Sequence, residues 1–150
     1  MTEILRPIGV IFRALDSIAN IEFQDIDLSR RQYLYLTRIC EQPGIILEQL
    51  ADLVKVDKTT VTRALQKLEK KGLIVRKNLP GDRKSKQIFP TESAQKIYPQ
   101  LQREEAYSNQ TALKGLSADE QSQLESLLNR VAENVDDDWH QVKKGYQRKY

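Results

Sequence analysis

Apolar positions recur every three or four residues along most of the chain, the period of an α-helix. The first stripe, Ile4, Leu5, Ile8, Ile11, Phe12, Leu15, Ile18 and Ala19, predicts a helix over residues 3–20, with Pro7 near its first turn, where proline is tolerated. A polar, acidic connector over residues 20–28 follows. Ser29 is placed to cap a second helix reaching about Glu41, which Tyr33, Leu34, Leu36, Ile39 and Cys40 make apolar enough for a core position. Pro43 and Gly44 end it. Leu47, Leu50, Ala51 and Val54 then give a short third helix. Beyond Lys55 and Val56, Asp57 is a suitable N-cap for a fourth helix over residues 57–73. Val61, Ala64, Leu65 and Leu68 share one of its faces, and Gly72 stands where a left-handed C-terminal cap is wanted.

After Gly72 the period changes to 2. Residues 73–77 and 86–89 read as two strands of a hairpin, with residues 78–85 as a loop punctuated by Pro80 and Gly81. Pro90 and Thr91 start a long helix reaching about Leu113, with Ala94, Ile97, Tyr98, Leu101 and Ala106 on or near its inner face and Pro99 expected to kink or break it. Ser117 and Glu120 form a capping-box pattern before a last helix. Along that helix Leu124, Leu127, Leu128, Val131, Val135, Trp139 and Val142 keep coiled-coil-like spacing. The fold class expected is mainly α, with a small β-hairpin wing on a helix-turn-helix core. Apolar stripes on the first and last helices exceed what so small a core can cover, which favours a second subunit as their partner over burial within one bundle.

Charge sharpens this picture. The net charge is only +3. Residues 55–87, however, hold eleven cations against Asp57, Glu69 and Asp82, a local +8, which leaves −5 for the remainder. A concentrated basic segment on an otherwise acidic chain is the footprint of a polyanion-binding surface. The face of the fourth helix opposite its apolar stripe carries Thr59, Arg63, Gln66 and Lys70, flanked by Thr62 and Lys67. These residue types reach phosphates and base edges, although a merely solvated face has the same composition. A basic-tipped hairpin after such a helix is a wing, a projection able to reach the adjacent minor groove.

Other chemistry finds little footing. One cysteine, Cys40, excludes an intramolecular disulfide framework and fits a reducing cytoplasm; one histidine, His140, defeats the usual His/Cys metal arithmetic. No cofactor, catalytic or metal site is expected, there is no glycine-rich phosphate loop, and an enzyme is unlooked for. No apolar run approaches the roughly 20 residues that span a membrane. Asp136, Asp137 and Asp138 read as a solvated helix face.

Two runs carry a family resemblance: TTVTRALQKLEKKGLIVR, from Thr59 to Arg76, and DRKSKQIFPTESA, from Asp82 to Ala94. With the order of six helices and a hairpin after the fourth, the chain resembles the MarR family of transcriptional regulators, and within it the SlyA-type branch. Pro90 and Ala94 stand where the family usually has Leu and Gly, and neither touches the DNA-facing chemistry. The resemblance implies a homodimer on a palindromic operator in double-stranded DNA, with residues 29–90 as the DNA-binding lobe and residues 1–20 and 91–150 as dimerisation helices within a single 150-residue domain. Arg63 is the first candidate for a base contact, and Thr59, Thr62 and Gln66 for bases or phosphates. Lys58, Lys67 and Lys70 suit the phosphate backbone. Arg83 is similar to the family's minor-groove arginine, and Lys84 and Lys86 are phosphate contacts or solvated wing charges. Arg76 and Asp82 are expected to be structural, Asp82 holding the wing's arginines. The family often binds small phenolic or anionic effectors, for which Phe12, Leu15, Tyr33 and Leu36 are the candidate lining. The competing reading is a winged-helix module for protein or RNA contacts.

Overall fold

The computed structural model describes every residue except Arg30. Among the described residues it contains α1 (Leu5–Glu22), α2 (Gln32–Glu41), β1 (Ile45–Ile46), α3 (Leu47–Val54), α4 (Lys58–Lys70), β2 (Ile74–Leu79), β3 (Asp82–Pro90), α5 (Glu92–Ala112) and α6 (Ala118–Lys143), in that order. A 3₁₀ turn, Gln24–Ile26, lies between α1 and α2. The chain divides into two compact units, Met1–Ser108 and Asn109–Tyr150.

The core of the first unit gathers the apolar stripes foreseen from periodicity. Leu36 and Ile39 of α2, Leu50 of α3, Val61, Leu65 and Leu68 of α4, and Ile74 and Ile88 of the sheet are all at most 1% exposed. Burying each such side chain contributes roughly 1.5–3 kcal/mol. The helix that bears the charged face is therefore fastened along its whole opposite side.

Two helix ends show why α4 sits where it does. Asp57 caps its start, its carboxylate accepting the Thr60 N–H at 2.8 Å and the Thr60 hydroxyl at 2.7 Å. At its end Gly72 takes φ 73°, the Leu73 N–H donates to the Leu68 carbonyl, and the Gly72 N–H donates to the Glu69 carbonyl, both at 3.0 Å. This paired closure is a Schellman motif, and its usual apolar contact is available in buried Leu68 and Leu73. The Gly72 carbonyl in turn accepts the Thr91 hydroxyl at 2.7 Å, which ties the start of α5 to the end of α4.

The hairpin is longer than its alternation suggested. β2 pairs with β3 from Ile74 opposite Pro90 through Asn78 opposite Lys86, with an irregularity before Leu79 opposite Asp82. The ladder therefore reaches into the expected loop over residues 78–85 at Asn78, Leu79 and Asp82, residues 83–85 form the irregularity, and Pro80 and Gly81 turn the chain. Proline first and glycine at φ 77° second is the residue pattern of a type II turn. A third strand was not foreseen: β1 pairs with β3, Ile45 opposite Ile88, giving the order β1-β3-β2. Two residues are too few to show a period.

Two other expectations need correction. Ser29 does not cap α2; the helix begins at Gln32 behind Arg31, whose φ of 64° is left-handed. Arg31 is held there from α1, its N–H donating to Asn20 Oδ1 at 3.3 Å and its guanidinium to Asp16 at 3.2 Å. Ala106 of α5 is exposed rather than inward, and of the two outcomes expected at Pro99 the break does not occur, since α5 runs through it as one helix. Ser117 does cap α6, accepting the Glu120 N–H at 3.2 Å.

α1 and α6, each taken by itself, are scarcely buried. Only Ala19 of α1 is buried, while Leu5, Ile8, Ile11, Phe12 and Ile18 are exposed. No residue of α6 is buried, and Leu124, Leu127, Leu128, Val135 and Val142 are 37–54% exposed.

Candidate nucleic-acid interface

α3, the turn through Lys55 (φ 55°) and α4 form the helix-turn-helix unit. With Val61, Leu65 and Leu68 turned into the core, the 3.6-residue period presents Thr59, Arg63, Gln66, Lys67 and Lys70 to solvent. Among the described residues, Arg63, Lys67 and Lys70 have no carboxylate within ion-pair distance, so their charge is uncommitted. Thr62 is half-buried and its hydroxyl donates to the Lys58 carbonyl at 2.7 Å. In that state Thr62 offers lone pairs only, which suits a base amino group and not a phosphate. Lys58 pairs with Glu48 at 3.0 Å.

Lys71, at the far end of the same basic run, has a different duty. Its ammonium donates to the Asp27 carbonyl and to Gln32 Oε1 (2.5 Å) and lies 3.3 Å from the Asp27 carboxylate. It fastens the C-terminus of α4 to the segment before α2, so counting it with the uncommitted cations of α4 overstates that surface.

In the wing, Arg83, Lys84 and Lys86 are exposed and, among the described residues, without an ion-pair partner. The Lys77 ammonium lies 5.4 Å from the Phe89 ring centroid, a cation–π contact. Arg76 is structural, but its partner is not Asp82. Glu69 of α4 receives the Arg76 Nε–H at 2.8 Å and the terminal N–H at 3.2 Å, a two-bond fork joining α4 to the base of the wing. Those hydrogen bonds hold the Glu69 carboxyl below the usual range and the guanidinium above its own. Asp82 instead accepts the backbone N–H groups of Lys84 (2.8 Å) and Ser85 (3.3 Å), which lower its pKa and shape the hairpin tip. The Glu69 role was hidden because only its sign was counted; a carboxylate seven residues before an arginine becomes a partner only once Gly72 turns the chain back.

The four candidate effector-lining residues differ in their surroundings. Leu36 is fully buried in the core, and Phe12 is half-exposed with the Arg31 guanidinium 5.1 Å over its ring. The Tyr33 hydroxyl donates to Asp16 at 2.8 Å, and burial and that carboxylate push its pKa up. Leu15 is half-buried. An open groove of about 430 Å³ beside them is lined by Arg13, Asp16, Ser17, Asn20, Ile21, Gln24 and Ser29, none of the four.

Comparison with known proteins gives this arrangement its family. The MarR family model matches residues 28–86, from just before α2 through most of the wing. The HTH-type transcriptional regulator YybA of Bacillus subtilis (strain 168) is 52% identical over 150 residues, covering all of both chains. Two crystal structures from Listeria monocytogenes, a SlyA-like transcription regulator and a MarR-family regulator complexed with a 26mer DNA, each superpose with a TM-score of 0.97 at 52% identity over the full length of both chains. The chain belongs to the MarR family of transcriptional regulators, and within it resembles the SlyA-type branch.

Proposed function

We propose that this regulator binds double-stranded DNA sequence-specifically, as a homodimer on a palindromic operator. The observation that carries the reading is the exposed face of α4, where Arg63 is uncommitted between Thr59, Gln66 and Lys67 on a helix whose other side is locked in the core. Arg63 reads a guanine edge, Thr59 and Gln66 contact bases or phosphates, Thr62 accepts from a base, and Lys58, Lys67 and Lys70 engage the backbone. Arg83 enters the minor groove at the wing tip, with Lys84 and Lys86 on flanking phosphates. The similar Listeria protein complexed with a 26mer DNA supports this reading.

Dimerisation follows from α1 and α6, whose exposed leucines, isoleucines and valines form stripes of the kind that mark subunit contacts. On this reading residues 1–20 and 91–150 hold the dimer, and its two-fold axis sets half-sites about one helical turn apart, roughly 10 bp. The regulator acts in the cytoplasm. A small aromatic or anionic effector would meet Phe12 and Arg31 rather than buried Leu36; absence of any thermal shift across a panel of aromatic acids would remove this part.

Titration of the purified protein against duplex from immediately upstream of its coding region, and against random duplex, tests the reading. Tighter binding to the upstream duplex is expected, with affinity falling steeply as salt rises. Failure to bind either at low salt would overturn it.

A further inference from the structure

The ion pair between Glu48 and Lys58 is out of place for a stabilising contact. Its atoms are 3.0 Å apart, yet the side chains are 70% and 61% exposed, and an isolated pair so exposed contributes little to folding. Its position is more telling. Glu48 lies in the first turn of α3 and Lys58 opens α4, so the pair bridges the two helices of the helix-turn-helix on their solvent side.

Glu48 also lines a cleft of about 180 Å³ between the start of α3 and the base of the wing. The other charged residues lining that cleft are Arg76, Lys84 and Lys86, all cations. Arg76 is already committed to Glu69, whose carboxylate also feels the Lys86 charge, while neither Lys84 nor Lys86 has a carboxylate within ion-pair distance among the described residues. Glu48 is thus a carboxylate set among cations on a surface that otherwise suits a polyanion.

We infer that Glu48 is a built-in competitor of the DNA phosphate, holding Lys58 in the free protein and trimming the sequence-independent share of affinity. The inference rests on the DNA-binding reading above. A phosphate approaching Lys58 must displace Glu48 or bind beside it. Either way the pair brings no net charge to the backbone, and the counterion release that one lysine would give is forfeited. The base-reading face around Arg63 is untouched. Glu48 therefore restrains binding to any duplex while leaving discrimination to other residues.

The test compares the wild-type protein with Glu48→Gln, Lys58→Gln and the double variant on upstream and random duplexes over a salt series. Glu48→Gln is expected to bind both duplexes several-fold more tightly at low salt, with a log–log salt slope steeper by about 0.9 per subunit. Lys58→Gln should abolish that gain in the double variant, which a mutant cycle reads directly. If Glu48→Gln left affinity and slope unchanged, or weakened binding, Glu48 would be a bystander or a support for Lys58, and the inference would fall. If the wild-type protein and Glu48→Gln alike bound no duplex at low salt, the DNA-binding reading itself would fail.

Discussion

At the scale of single residues, chemistry is decided by what each side chain faces. Burial pushes the Cys40 thiol up to about 11, with the nearby Glu41 carboxylate adding to the effect. Since the thiolate is the nucleophile, Cys40 should react with iodoacetamide at neutral pH far more slowly in the native protein than after unfolding. Equal rates would show the thiol to be accessible and unperturbed. Glu69 is the opposite case. Its carboxyl is held below the ordinary glutamate range by Arg76, so the pair's contribution is complete above that range and is lost as pH falls through the depressed value. Thermal stability followed from pH 6 down to pH 3 should therefore fall more steeply for wild-type protein than for Arg76→Met. Parallel curves would separate Glu69 from acid sensitivity.

Among elements, the closing of α4 is the clearest link from one residue to the site. Gly72 sits at φ 73°, and a Cβ placed there would meet no neighbouring atom, so only backbone conformation opposes a side chain. Gly72→Ala should lower stability by about 1 kcal/mol, read by urea unfolding. A neutral result would mean that α4 has another way to end. Periodicity located the stripe of Val61, Leu65 and Leu68, and capping chemistry located Asp57 and Gly72, because each of these signals is local. Features set by contacts across the chain stayed hidden. The two-residue strand β1 exists only because Ile88 offers it a ladder, and the left-handed start of α2 depends on Asp16 and Asn20, more than ten positions earlier. The wing was legible as a hairpin but not in its length, since Asn78, Leu79 and Asp82 read as loop by composition while their backbones pair across the strands. The candidate site divided along the same line. Which residues of α4 face solvent followed from the helical period, whereas the commitments of Lys58, Lys71 and Arg76 required partners that sequence distance conceals.

For the whole molecule, the account depends on two exposed apolar helices finding a second copy. Leu127 of α6 is 54% exposed within a stripe that includes Leu124, Leu128 and Val135. Placing a charge there should cost little in a monomer and a great deal in a subunit interface. Leu127→Asp is thus expected to convert a dimer to a monomer by sedimentation equilibrium and to weaken operator binding sharply, because one half-site alone engages a single recognition helix. A variant that remained dimeric with full operator affinity would move the interface away from this stripe.

The claim that α4 reads DNA sequence is tested most directly by measuring Arg63→Ala and Lys67→Ala against operator and random duplexes at matched salt. Loss of a two-bond base contact should cost Arg63→Ala about 1–3 kcal/mol on the operator while hardly changing its affinity for random DNA. Lys67→Ala should weaken both duplexes similarly and flatten the salt dependence. Equal loss on both duplexes for Arg63→Ala would contradict the account, reducing α4 to a phosphate-binding helix.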